Sequence, residues 1–265
     1  MPTLFLWFLF MVIVEVPAHA ADVDAAIVFA VDISASVDRT TAKLQRDGHA
    51  KAIAEPAVIA AISQGLNGCI AVTYIEWASR GRTRSVLPWT RVCGMADALA
   101  VAGAIHRLAS DGDDCSGYCA TSISDAIDAG SDLLDQYRGA ALARIIDISS
   151  NGTNNDGAPL WASRARALAR GYTINAIVVP QIRYGVPYPL VGYFKDHVIG
   201  GKGAFVIEPD TANDYVSALR RKLISEVSSA TAPERARRSA RNASPSPARS
   251  ATKAEQSALL AGRGQ

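Results

Sequence analysis

Ala25-Ala-Ile-Val-Phe-Ala-Val-Asp32, followed at once by Ile33-Ser-Ala-Ser36, is the stretch from which the fold of this 265-residue chain is read. The run is apolar without alternation, as expected for a strand covered on both faces; a half-exposed strand would alternate apolar and polar residues. Where the chain leaves such a strand still extended, alternate side chains point the same way, so Asp32, Ser34 and Ser36 can converge on one spot. A carboxylate with two hydroxyls is a hard-oxygen set suited to Mg²⁺, or to Mn²⁺ or Ca²⁺. Mg²⁺ takes about six oxygens and usually keeps several waters, which leaves room for an outside ligand. Taken alone, the same residues are also an ordinary helix N-cap.

Working outward, strands and helices alternate. Helical spacing runs from about Asp38 to Ile62, through Ala42, Ile53, Val58 and Ala61, with a break at Pro56. The segments Cys69–Trp77 and Ser85–Cys93 read as a hairpin, followed by a helix from about Met95 to Leu108. A polar loop holding Cys115 and Cys119 leads into a helix from about Ser122 to Tyr137. Then come a strand over Ala143–Ser149, a helix from Pro159 to Arg170 stopped by Gly171, and a buried strand from Thr173 to Val179. A short helix over Tyr193–Val198, a strand over Ala204–Glu208 and a last helix from Ala212 to Val227 complete the pattern. Alternation of this kind predicts an α/β doubly wound, mainly parallel sheet with one antiparallel edge strand from the hairpin.

In open sheets of this class ligands gather at the carboxyl ends of the strands. Three polar clusters are expected there: Asp32 with Ser34 and Ser36, Thr121-Ser122 at a helix start, and Ser149-Ser150-Asn151-Gly152 after the fourth strand. Three such clusters at one end of the sheet favour a site over three separate caps.

Both ends of the chain differ from this middle. Met1 to Ala20 carries an apolar run from Leu4 to Val14 and then Ala18-His19-Ala20, which suits signal-peptide cleavage after Ala20; an uncleaved anchor is the alternative. The run is shorter than the ~20 apolar residues of a bilayer span. From Thr231 to Gln265 the chain is rich in Ala, Ser, Pro and Arg, with seven Lys or Arg against two acids, and is expected to be a disordered basic tail. The domain is therefore expected over 21–230, in a periplasmic or secreted protein. The tail's charge permits weak contact with an anionic envelope surface, whereas no specific nucleic-acid partner is indicated.

Export makes disulfides the expected state of Cys69, Cys93, Cys115 and Cys119, with three connectivities open. Register favours one. Opposed residues of an antiparallel pair share an index sum; if Trp77 faces Ser85 the sum is 162, which Cys69 and Cys93 also give. Cys115 and Cys119 would then close a small loop of their own. Free, buried thiols are the competing reading.

The chain resembles the von Willebrand factor A-like superfamily, and more closely a family of uncharacterised bacterial exported proteins built on that domain. The resemblance rests on A-V-D-I-S-A-S-V-D (30–38), L-Q-R-D-G-H-A (44–50), I-A-V-T-Y-I-E-W (70–77), V-L-P-W-T (86–90), T-S-I-S-D-A-I-D (121–128), R-I-I-D-I-S-S-N-G-T-N-N (144–155) and V-I-G-G-K-G-A-F-V (198–206). It implies a metal-ion-dependent adhesion site with Ser34, Ser36 and Thr121 as hydroxyl ligands and Asp32 as a carboxylate acting through water. At the remaining acidic position this chain has Asn151, which supplies a carbonyl oxygen without charge, so metal affinity should be lower.

The resulting expectation is a monomeric, non-enzymatic binding module whose protein partner presents Asp or Glu. The alternative is a structural envelope protein with a vestigial, metal-free site. No G-x-S-x-G elbow or G-x-x-x-x-G-K-[ST] loop is present, and His49, His106 and His197 are scattered. Asp147, inside a strand, reads as a buried structural carboxylate.

Overall fold

A computed structural model describes residues 22–112, 119–180, 182–183, 186–187, 189–211 and 214–242. The expected leader and Cys115 lie outside the described residues. The elements run β1 (Val23–Asp32), α1 (Arg39–Ile53), α2 (Pro56–Ser63), β2 (Ile70–Trp77), β3 (Thr83–Val92), α3 (Met95–Leu108), α4 (Ile123–Gln136), β4 (Ala141–Ser150) and α5 (Leu160–Ala169). They continue with β5 (Thr173–Val178), the two-residue strands β6 (Ile182–Arg183) and β7 (Val186–Pro187), α6 (Leu190–Tyr193), β8 (Val206–Ile207) and α7 (Tyr215–Asn242). The main sheet has the order β3-β2-β1-β4-β5-β8, and only β3 is antiparallel to its neighbour.

β1 lies at the centre, and the reason is its composition: every one of its residues is buried. Its alternate side chains serve two cores. Ala25, Ile27, Phe29 and Val31 pack with α1, α2, α3 and α7, whereas Ala26, Val28 and Ala30 face α4, α5 and α6. Gly171, at φ +79°, closes α5 in the left-handed conformation a residue with Cβ rarely adopts. Among the described residues no helix is long and apolar enough to cross a membrane.

Three expectations need correction. Trp77 faces Thr83, not Ser85, and β3 gains two extra residues on the way to its far end, where Ile70 pairs with Val92. The irregularities lie on either side of Leu87, and the second contains Pro88, which has no N–H for the ladder and is tolerated because β3 is an edge strand. The two insertions return the index sum to 162 at the cysteines, so Cys69 and Cys93 do form a disulfide, though by a route the simple register argument missed. Cys119 is disulfide-bonded as well.

The last helix does not stop at Val227, and the segment expected to begin a disordered tail at Thr231 is helical as far as Asn242. Ala230 and Thr231 are buried, and the Arg235 guanidinium donates to the Gln64 carbonyl, so tertiary contacts with α2 carry the helix past the last large apolar residue. Finally, the helix expected over Tyr193–Val198 begins earlier, at Leu190, and finishes as a π turn over Phe194–Val198; the strand after it shrinks to Val206–Ile207.

Candidate functional site

β1 and β4 are parallel neighbours in register from Val23↔Ala141 to Val31↔Ser149, so the next residues, Asp32 and Ser150, leave the sheet side by side. The Ser150 hydroxyl donates to Asp32 Oδ2 at 2.5 Å. The backbone N–H of Ser34 donates to Oδ1 at 2.7 Å, which turns the chain so that the Ser34 hydroxyl lies above the carboxylate. Asp32 has no exposed surface, and burial pushes its carboxyl above the usual range even though these bonds pull it down. A cation would relieve that cost.

Three chain segments meet above Asp32. Thr121 Oγ1 donates to Ser34 Oγ at 3.0 Å, and Ser34 Oγ lies 3.3 Å from Ser36 Oγ. Ser36 Oγ donates to Asn151 Oδ1 at 2.7 Å, while Asn151 Nδ2 donates back to the Ser36 carbonyl at 2.8 Å. Ser34, Thr121 and Asn151 are buried; Ser36 is half-buried and Ala35 beside it is exposed, so the cluster meets solvent through the first loop. Gly152 leaves the space between the loops open: a Cβ there would stand 3.4 Å from Thr121 Oγ1.

The Thr121 strut is built by Ser122 together with Asn155 and Asp156, two residues that had no expected role. Asn155 Oδ1 accepts from the Thr121 N–H at 2.8 Å, and the Asn155 N–H donates to the Thr121 carbonyl at 2.9 Å. Ser122 caps α4 and also donates to the Asp156 carbonyl at 3.1 Å. Beneath the cluster, Gln45 Nε2 donates to the Asp32 carbonyl at 2.9 Å, and Ser149 links Gln45 Oε1 (2.7 Å) to the Tyr215 hydroxyl (2.8 Å). Gln45 had a signal: with Ala42 and His49 it forms the buried stripe of α1, where a polar residue needs a partner.

Asp147 lies away from this cluster. It is ion-paired to Lys222 of α7, which also pairs with Glu226, and all three are buried. His49 is a core residue whose Nδ1 lies 2.8 Å from the Gln45 carbonyl; burial pulls its pKa down to about 4.

Does this donor set suit a divalent cation? Among the described residues no three His, Cys, Asp or Glu side chains gather as a conventional metal site. The cluster instead offers three hydroxyl oxygens in a row, Thr121 to Ser34 at 3.0 Å and Ser34 to Ser36 at 3.3 Å, with a carboxylate below them and an amide oxygen beside them. That hard-oxygen chemistry fits Mg²⁺ or Mn²⁺, with one formal charge from the chain.

A family model described as "Protein of unknown function (DUF1194)" matches residues 22–231. Among curated protein sequences, none matches. Several solved structures share the fold. BatB from Bacteroides thetaiotaomicron is 17% identical, with 77% of this chain and 98% of that one covered at a TM-score of 0.52. The von Willebrand factor domain of the type V pili tip protein Mfa5 from Porphyromonas gingivalis is 9% identical, with 78% and 96% covered at 0.51. Proximal thread matrix protein 1 from the mussel byssus, in a form with a zinc-occupied MIDAS motif, is 14% identical, with 77% and 46% covered at 0.50. At these identities the likeness shows the fold alone, the doubly wound α/β arrangement that von Willebrand factor A domains share.

Proposed function

Because the chain belongs to the DUF1194 family of proteins of unknown function, its role has to be read from the hydroxyl cluster, and we propose that it is an exported, non-enzymatic module binding an acidic side chain of a partner protein through a divalent cation. The observation that carries this is the meeting of Ser34, Ser36 and Thr121 hydroxyls above a buried Asp32 carboxylate. When bound, an ion such as Mg²⁺ or Mn²⁺ supplies a Lewis-acidic position that a carboxylate can occupy.

Ser34, Ser36 and Thr121 are the residues that would hold it. Asp32 supplies the negative charge, kept in place by Ser150 and the Ser34 N–H. Asn151 orients Ser36 and adds no charge, which leaves the partner's Asp or Glu to provide the second one. Catalysis is not part of this reading: the other buried carboxylates of the described residues are committed, Asp147 and Glu226 to Lys222, Glu76 to Arg84, and Asp24 to the backbone N–H groups of Asn67 and Gly68. The zinc-occupied motif in the byssus protein gives the metal reading its analogy and no more.

Calorimetric titration of Mg²⁺ or Mn²⁺ into the protein tests the proposal. Wild type should give a saturable signal, and Ser34→Ala should abolish it by removing the hydroxyl at the centre of the cluster. No signal from wild type, or an equal one from Ser34→Ala, would remove the metal from the account.

One observation favours a second reading, a structural envelope protein with a metal-free site. The paired bonds between Ser36 and Asn151 satisfy that side of the cluster without an ion. On this reading chelator leaves function intact, and anchoring falls to the basic segment 231–265. Deleting that segment should then release the protein from envelope fractions.

A further inference from the structure

Trp161, in the first turn of α5, is the most exposed large apolar side chain of the described residues, at 74%, and a Trp left in water invites explanation. It borders a groove of about 250 Å³ formed with Leu160, Arg164, Tyr193, Asp196 and His197. The walls are fixed. Arg164 Nε donates to the Ile199 carbonyl at 2.9 Å, the Tyr193 and His197 rings lie 5.0 Å apart, and Leu160 is half-buried against the core that α4, α5 and α6 share. Arg164 and Asp196 offset one another in charge, so the groove suits an uncharged aromatic or aliphatic side chain.

The groove is tied to the hydroxyl cluster. The Asn154 N–H donates to the Tyr193 hydroxyl at 3.1 Å, and Asn154 is three residues beyond Asn151. Three residues span at most ~11 Å, so the Tyr193 hydroxyl stands within roughly 15 Å of the cluster. An extended ligand advances about 3.3 Å per residue and would cover that distance in three to five residues.

Resting on the metal-binding reading above, we propose that this groove is the second contact of the same partner: a segment whose Asp or Glu sits at the cluster and whose aromatic or aliphatic side chain, three to five residues away, lies between Trp161 and Tyr193. The acidic group fixes the segment's end and the groove reads its sequence. A carboxylate alone cannot distinguish one acidic protein from another; a second, apolar anchor can.

The probe is a displayed peptide library with one fixed Asp flanked by randomised positions, selected on the full chain in Mg²⁺. Enriched peptides should carry an aromatic or aliphatic residue at a constant spacing of three to five from the Asp. Trp161→Ala should weaken a selected peptide by about tenfold or more, Trp161→Phe should restore most of the loss, and Mg²⁺ titration of both variants should match wild type. Trp161 is exposed, so its removal leaves the fold intact. Peptides without a spaced apolar residue, or equal binding by Trp161→Ala, would overturn the proposal while leaving the cation site standing. Binding that survives both chelator and Ser34→Ala would instead sink the cation reading. If deleting 243–265 makes the peptide bind tighter, or Trp161 drives dimerisation in sedimentation, the groove belongs to the chain's own tail or to a second copy and the proposal fails.

Discussion

Replacing Asn151 by Asp places a second negative charge beside Asp32 with almost no change in size, and two opposite effects follow. Without a cation the variant should lose stability. Asn151 is 3% exposed, and the substitution removes the Nδ2 donor that reaches the Ser36 carbonyl at 2.8 Å. Leaving that part-buried acceptor without its donor costs at most about 1–3 kcal/mol, and the like charge of Asp32 adds to it. For a domain of this size that lowers Tm by about 3–10 °C. With a divalent cation the sign reverses. The new oxygen would stand where Asn151 Oδ1 now is, 2.7 Å from Ser36 Oγ. An ion held by that hydroxyl at ~2.1 Å therefore has the charge within ~5 Å, worth about 1.7 kcal/mol even at the dielectric of water, or more than tenfold in affinity. Thermal melts in chelator and in millimolar Mg²⁺, paired with calorimetry, read both halves. An Asn151→Asp protein as stable as wild type in chelator, and no more responsive to Mg²⁺, would refute the placement of a cation at this cluster.

Two further measurements probe the scaffold. Glu226 is buried with Asp147, Lys222 and Asn175 around it, and burial lifts its pKa to about 7 despite the ammonium. A raised carboxyl contributes stability that is complete below the ordinary Glu range and is lost as pH climbs through about 7. Unfolding free energy should therefore fall between pH 5 and pH 7 in wild type, by an amount on the order of a few kcal/mol, and Glu226→Gln should flatten the curve; parallel curves would contradict the assignment. The disulfide between Cys69 and Cys93 closes a sequence separation of 24 residues, so replacing both cysteines with Ser should cost about 3 kcal/mol in denaturant titration.

Much of this architecture was legible because it depends on local pattern. The unbroken apolar run of β1, the break at Pro56, the cap at Ser122 and the stop at Gly171 are each short-range signals, and each lies where an element begins or ends. The same holds for Asp32, Ser34 and Ser36, which one extended exit presents together. Details that depend on a neighbour were not legible. The edge strand β3 absorbs two extra residues around Pro88 because only its partner reveals which N–H groups the ladder needs. Helix α7 runs to Asn242 through an Ala- and Arg-rich stretch that lacks apolar bulk of its own, because α2 lies alongside to receive it.

From the sequence alone came a strand buried on both faces, an alternating α/β order and three hydroxyl-bearing loops at one end of a sheet, since composition and spacing act over a few residues. Tertiary structure alone decided that Thr121 comes within 3.0 Å of Ser34 across a separation of 87 residues, that Ser150 secures Asp32, and that Asn155 fixes the Thr121 backbone. Hydrogen bonds at that range are set by strand order and register, and a linear sequence does not encode either one locally.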